Sequence, residues 1–452
     1  MSLLFKNIKT IYFLGIGGIG MSALARYFKE NGCIVSGYDR TPSKITAKLL
    51  SEGIDVHFDE NTEFIPNDVD LVVYTPAISK THKEFVFCKE NNIPMTKRSE
   101  VLGKIAENKF TIAIAGSHGK TSITSMTSLL LWENNKILSF IGGIASNFNS
   151  NFIYDTDANI LIAEADEYDR SFLHLFPDIA IVSSVEADHL DIYKTADSID
   201  EGFKNFIQNI NPSGCLITKK DIAQRFSPTC KTYTYSLSDS KCDFYASKIE
   251  IQQEEYIFDI QTPQGVIENM KFQTAGLHNI ENAIAAVAVA HIQGVPHDLI
   301  KQQLSIYKGV KRRFEYILRR KDLIYIDDYA HHPNELKVAI TSIKNIHPQR
   351  KLCGIFQPHL FTRTRDFADE FVASLELLDQ VVLLDIYPAR EEPIEGINSQ
   401  MLLDKIKNPN KSLQSKESLI PYLKSIQPEL IATFGAGDID RLVDKIKTAF
   451  EV

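Results

Sequence analysis

The sequence predicts an α/β protein of three domains, each built around a largely parallel sheet. Three observations carry the prediction. Short apolar runs alternate with stretches of helical periodicity along most of the chain, the pattern of βα units. Two of these runs end in glycine loops that open a helix, at 15–20 and at 116–121. Four further runs, all beyond residue 309, are each followed by polar or glycine-rich residues, as at the ligand-binding edge of an open sheet.

The first segment, 1–106, carries apolar runs at 11–14, 33–38 and 71–74, with a helical pattern at 21–31. The second, 107–308, opens with a strand at 110–115, a glycine loop and a helix over 121–131, and continues with buried strands at 159–163 and 179–183. Between 214 and 274 the texture changes to β-rich runs at 231–235, 243–249 and 256–260, with a turn at Thr262-Pro263-Gln264-Gly265. This stretch reads as an antiparallel addition, its Phe and Tyr residues forming a local core. An Ala-rich helix follows at 279–292. The third segment, 309–452, has strands at 323–326, 352–356, 381–385 and 430–434. They are followed by Asp327-Asp328-Tyr329, Gln357-Pro358-His359, Ile386-Tyr387-Pro388 and Gly435-Ala436-Gly437. Trp132 is expected to pack behind the helix after the second loop, and Arg319-Arg320-Lys321 to form a solvated turn.

Composition narrows the function classes. With 452 residues, 44% of them hydrophobic, several full cores are available. A net charge of −9 argues against nucleic acid as the main partner, since such partners call for a basic surface. The six cysteines include no C-x-x-C pair, so neither a zinc site nor a disulfide framework is expected; Cys33 and Cys353 read as buried free thiols. The N-terminus lacks the layout of a signal peptide, and no apolar stretch reaches the roughly 18 residues of a membrane span. The expected compartment is the cytoplasm, with no membrane partner.

The chemistry-bearing residues lie where strands meet helices. Gly15-Ile16-Gly17-Gly18-Ile19-Gly20 is a G-x-G-x-x-G, in which glycines let backbone approach a pyrophosphate at a helix N-terminus. Asp39, 19 residues after Gly20, stands where an acid would hold a ribose hydroxyl. Alone, this pattern fits an NAD-dependent dehydrogenase as well as a nucleotide-diphosphate site. Gly116-Ser117-His118-Gly119-Lys120-Thr121-Ser122 is a shortened phosphate loop: backbone N–H groups cradle phosphates, Lys120 reaches the β/γ oxygens and Thr121 holds Mg²⁺. The central segment is therefore expected to be a P-loop-type ATPase domain with a β-rich addition, between Rossmann-like N- and C-terminal domains. Glu164, ending an apolar run, is placed as a Walker-B acid would be. The acids of 164–169 read either as metal ligands or as a solvated turn. His189 is a second candidate metal ligand.

Taken together, the motifs resemble the Mur ligase family, and within it the alanine-adding branch. The stretches are GIGGIGM (15–21), AGSHGKTS (115–122), EADEYDRSFL (164–173), VEADHLDIY (185–193), GLHNIENAIAA (276–286), GVKRRFE (309–315), DDYAHHPNE (327–335), FQPHLFTRTRD (356–366), DIYPAREEPI (385–394) and GAGDI (435–439). The resemblance implies a ligase that joins L-alanine to UDP-N-acetylmuramate at the expense of ATP, through an acyl phosphate, as monomer or homodimer. The loop at 15–20 would then hold a UDP pyrophosphate. Lys120 would contact the γ-phosphate, Thr121 and Glu164 one Mg²⁺, and His189 a second, with Mn²⁺ as an alternative ion. His278, Asn279 and Asn282 would serve the adenine side, and Arg313 and Asp328 the phosphates and ribose. His331 or His332, with Arg363, would take the amino-acid carboxylate.

Several positions depart from the family pattern. Ser117 replaces the usual threonine, Ser184 a frequent asparagine and Leu360 a frequent basic residue. His57 stands near, but not at, the uracil-side histidine, and no role is carried to it. Phe203 occupies the place of the carbamylated lysine that other members bear. Tyr168 is a residue of the related murein tripeptide ligase, the competing reading, whereas Arg363-Thr364-Arg365-Asp366 favours the alanine adder.

Overall fold

The computed structural model describes residues 5, 7–186, 196–274, 276–389 and 391–451, apart from the side chains of 168, 169, 196 and 197. It contains three sheets. The first has the order β3-β2-β1-β4-β5, all parallel: β1 (Thr10–Leu14), β2 (Ile34–Tyr38), β3 (Asp55–His57), β4 (Leu71–Tyr74) and β5 (Met95–Lys97). β1 is buried along its whole length, as expected of a parallel strand covered on both faces.

The second sheet runs β15-β14-β13-β12-β11-β10-β6-β9-β7-β8. Its strands are β6 (Phe110–Ala115), β7 (Ile137–Ala145), β8 (Ser150–Tyr154), β9 (Ile160–Glu164), β10 (Ile179–Val182), β11 (Cys215–Thr218), β12 (Lys231–Ser236), β13 (Phe244–Gln252), β14 (Glu255–Thr262) and β15 (Gly265–Phe272). The expected antiparallel addition is smaller than the sequence implied. β11 and β12 pair in parallel with the strands before them, and β13 joins β12 in parallel. Within this stretch only β13–β15 form hairpins, because two-residue connections between neighbouring strands demand antiparallel pairing. The first of these turns places Gln253 and Glu254 at φ 51° and 64°, the backbone of a type I′ hairpin. Phe244, Tyr256 and Phe258 are buried there, as read. β8 is a further antiparallel strand that sequence reading passed over.

The third sheet has the order β16-β17-β21-β18-β19-β20, comprising β16 (Glu315–Arg319), β17 (Ile324–Asp328), β18 (Leu352–Phe356), β19 (Gln380–Leu383), β20 (Lys411–Leu413) and β21 (Leu430–Phe434). It is parallel except for the edge strand β16. The carboxyl ends of β17, β21, β18 and β19 therefore share one edge, as the repeated sequence pattern predicted.

The chain divides into two compact units: Met1–Ile249 with Phe258–Phe272 and Ile280–Lys308, and Glu250–Ile257 with Gln273–Asn279 and Gly309–Val452. In the first unit the helix Ile19–Glu30 lies against the β7–β8 hairpin. Tyr27 meets Phe140 and Tyr154, and one apolar cluster runs from Phe13 and Phe28 to Leu161 and Phe206. Asn151 Nδ2 donates to Ile19 O and Arg26 donates to Asn151 Oδ1, both at 2.6 Å. Two sheets thus share one core. Trp132 does not pack behind its helix. It ends the helix Lys120–Trp132, is 36% exposed and meets only the edge of Phe148 among described rings, because the inward positions are filled by Ile123, Met126 and Leu130. Arg319 and Arg320 are held in ion pairs with Glu254 and Asp322. Cys33 and Cys353 are buried free thiols.

Candidate active site

The phosphate loop is built by adjacent elements of the first unit. β6 is an apolar strand that delivers the chain to Gly116, and the helix Lys120–Trp132 begins at once after Gly119. Gly119 sits at φ +86°, and a Cβ there would lie 2.6 Å from Asn282 Oδ1, so only glycine fits. Having no side chain, it leaves the first-turn N–H groups to a ligand, and the helix dipole favours an anion there. Thr121 and Ser122 occupy that first turn. The far side of the loop is clasped by the residues after β10. Ser117 N donates to Ser184 O at 3.1 Å, His118 N to Ser184 Oγ at 2.9 Å, and Ser183 Oγ to His118 O at 2.5 Å. Ser184, a departure from the family pattern, thus still supplies a polar contact. Asn282 packs over Gly119 from the helix Leu277–Ile292.

The acidic run 164–169 resolves into distinct roles. Glu164 ends β9, where its Oε1 accepts from Gly142 N at 2.6 Å and Thr121 lies within hydrogen-bonding reach. Burial pushes its pKa up, opposed by the Gly142 N–H, Lys120 and Thr121. A half-buried carboxylate beside a hydroxyl is an oxygen donor set that fits Mg²⁺. Asp166 faces Arg98 at 3.8 Å. Glu167 is 4% exposed and takes the Lys120 ammonium on both oxygens, at 2.9 and 2.8 Å, while Lys120 also donates to Gly116 O at 2.6 Å. Sequence reading did not single out Glu167. His189 lies outside the described residues.

In the first sheet, Gly15 adopts φ +87°, and Gly15 N and Ile16 N donate to Tyr38 O. Asp39 does not project freely: its Oδ2 accepts from Gly17 N at 2.8 Å, so it braces the glycine loop. Gly18 precedes the helix that starts at Ile19. Arg98, also passed over in the sequence, brings Nη1 to 2.8 Å from where a Cβ at Gly20 would stand. His57 is engaged with the Tyr12 hydroxyl at 2.6 Å.

The second unit assembles the remaining candidates. Arg313 lies over the ring of Tyr329, 5.2 Å from its centre, with Arg312 also 5.1 Å from that centre. Asp328, at the end of β17, accepts from Phe314 N and Ala330 N at 2.8 Å, and burial raises its pKa to about 6. His278 has an exposed edge, yet the atoms packed about its ring and the charge of Arg313 push its pKa down to about 4, leaving it neutral near pH 7. Asn279 N donates to Gly276 O. The two histidine candidates separate. His331 is held by Tyr329 O and Glu335 and feels the charges of Arg363 and Arg313. His332 precedes the helix Pro333–Ile346 and packs against Phe367. Leu360 adopts φ +70° and donates its N–H to Tyr387 O. A cavity of about 350 Å³ opens at the same sheet edge, lined by Gln357, Asp385, Tyr387, Pro388, Lys416 and Asp438.

Comparison with known proteins decides the family. The Mur ligase family catalytic domain matches residues 10–110, the Mur ligase middle domain 114–290, and the Mur ligase glutamate ligase domain 312–437. The chain belongs to the Mur ligase family. Among its Mur ligase relatives, the UDP-N-acetylmuramate–L-alanine ligase of Flavobacterium johnsoniae is 44% identical, and that of Flavobacterium psychrophilum 46%, each over 98% of both chains. The protein of that name from Porphyromonas gingivalis is 43% identical over 97% of this chain and 98% of its own. In fold, the Mur ligase chain is similar to the crystal structure of UDP-N-acetylmuramate–alanine ligase from Thermotoga maritima, with TM-score 0.85, 24% identity and coverage of 98% and 99%. It is also similar to a murein peptide ligase from Psychrobacter arcticus, with TM-score 0.71, 22% identity and 98% coverage of each. Membership in the Mur ligases sets aside the dehydrogenase reading of the loop at 15–20. Phe203 is buried against Phe172.

Proposed function

We propose that this Mur ligase joins L-alanine to UDP-N-acetylmuramate, with ATP converted to ADP and phosphate. The observation that carries the reading is identity of 43–46% along nearly the full chain to proteins named for that reaction. The intact loop Gly116–Thr121 supports it. In this reading residues 1–106 bind the UDP substrate, 107–308 bind ATP, and 309–452 serve the amino acid and the ATP ribose.

The reaction begins with two anions, a lactyl carboxylate and a triphosphate. Lys120 and the N-terminus of its helix stabilise the charge that develops as the carboxylate oxygen attacks the γ-phosphorus and ADP leaves. The neutral alanine amine then attacks the acyl carbon, the C–N bond forms, the C–O bond breaks with its oxygen and electron pair leaving on phosphate, and the nitrogen gives up a proton to solvent. Thr121 and Glu164 would hold Mg²⁺, which when bound neutralises phosphate charge; a second ion at His189, or Mn²⁺ in place of Mg²⁺, belongs to the same proposal. Ser117, His118 and Gly119 would line the phosphates, and Asn282, His278 and Asn279 the adenine side. Arg313 and Asp328 would serve the nucleotide, and His331 with Arg363 the alanine carboxylate. Gly15 to Gly20 would hold the UDP pyrophosphate. No helix among the described residues is long and apolar enough to cross a membrane.

Phosphate release from ATP and Mg²⁺ with UDP-N-acetylmuramate tests the reading, with L-alanine compared against L-Ala-γ-D-Glu-meso-diaminopimelate. Release with alanine alone is expected. Release with the tripeptide alone would move the chain to the recycling ligase, the reading that Tyr168 favours. Release with neither would overturn both.

A further inference from the structure

The ammonium of Lys120 has three donors, and three acceptors surround it: Gly116 O and both oxygens of Glu167. The Lys120 side chain is 16% exposed and that of Glu167 5%, so the contact is shielded from water and weakly screened. A phosphate that takes Lys120 must displace at least one of these acceptors.

The two partners differ in freedom. Glu167 stands on a pinned segment: Ala165 N donates to Ile114 O, Phe172 N to Asp166 O and Arg170 N to Glu167 O. The adjoining Phe172 is fully buried between the rings of Phe203 and Phe206. Lysine carries its charge on a flexible four-carbon stem. In an exchange of partners the lysine moves and the carboxylate stays.

We infer that Glu167 is a positioning residue that competes with the ATP phosphates for Lys120, so that this exchange lowers and thereby sets the affinity for ATP. The inference rests on the reading that Lys120 serves ATP. Its chemical sense is that a parked lysine is not available to any anion that reaches the loop, and is given up only to a polyanion able to outbid a bidentate carboxylate.

The test is calorimetric titration of the full chain with ATP and Mg²⁺, without acceptor or amine so that no turnover occurs. E167Q, which keeps the shape and removes the charge, should bind ATP about tenfold more tightly than the unaltered protein. In a K120M background the same change should alter the affinity by less than about twofold, because the competed-for group is gone. Damage to the fold would weaken binding, so tightening is a readout that a merely structural role does not produce. Unchanged or weaker binding by E167Q overturns the inference. Equal tightening in both backgrounds also overturns it, by pointing to direct repulsion of the phosphates instead. Unaltered protein that binds no ATP at all would overturn the functional reading and not this inference alone.

Discussion

Glu84→Gln should change how the stability of the first unit depends on pH. Glu84 is fully buried, its Oε2 accepting from the Tyr12 hydroxyl at 2.5 Å and its Oε1 from Asn61 N at 3.1 Å. His57 Nε2 shares the same Tyr12 oxygen at 2.6 Å. Burial pushes the carboxyl from 4.5 up to about 7, only partly opposed by those two donors. In the unfolded chain the carboxyl loses its proton near 4.5, so between 4.5 and about 7 the folded state binds more protons. The contribution is therefore fully present below 4.5, is lost as pH rises through about 7, and is flat above. At about 1.4 kcal/mol per pKa unit the whole span is worth about 3 kcal/mol, of which about 2.5 kcal/mol falls between roughly pH 5 and pH 8. Denaturant unfolding of both proteins at those two pH values, followed by circular dichroism, measures it. Groups such as Asp328 titrate in both proteins and cancel in the difference. Glutamine offers one acceptor oxygen where the carboxylate offers two, so one of the donors Tyr12 OH and Asn61 N must re-pair, a cost that does not vary with pH. The stability of the unaltered protein minus that of the variant should be larger at the lower pH by that amount. Equal pH responses would refute the claim that Glu84 is held protonated near neutrality.

Two further outcomes follow from the phosphate loop. Lys120→Ala should lower turnover by roughly 10² or more in a phosphate-release assay, as for loss of one charge-stabilising group; near-normal turnover would remove Lys120 from the mechanism. Gly119→Ala must place a Cβ at φ +86°, 2.6 Å from Asn282 Oδ1, and should raise the KM for ATP about tenfold with unchanged circular dichroism. A KM within twofold of normal would mean that the loop yields more easily than its geometry implies.

What could be read from the chain was whatever adjacent residues decide. The strand at 110–115, the loop Gly116–Thr121 and the helix after it are consecutive, and their glycines, Lys120 and apolar run specify one another over a few residues. The same holds for the loop at 15–20 and for the polar ends of the four C-terminal strands. The ordered series of such motifs was enough to point to the Mur ligases. Tertiary structure alone decided which distant residue completes each of them. Glu167 reaches Lys120 across 47 positions and Ser184 reaches His118 across 66, distances over which local spacing carries no information. It gave the neighbouring acids different partners, Glu164 to Gly142 and Glu167 to Lys120. It turned Asp39 inward onto Gly17. It also made β11 and β12 parallel, since a short alternating strand has the same period whichever way its neighbour runs. The pattern of side chains sets which face is buried; the partner that covers it is chosen only when the whole chain packs.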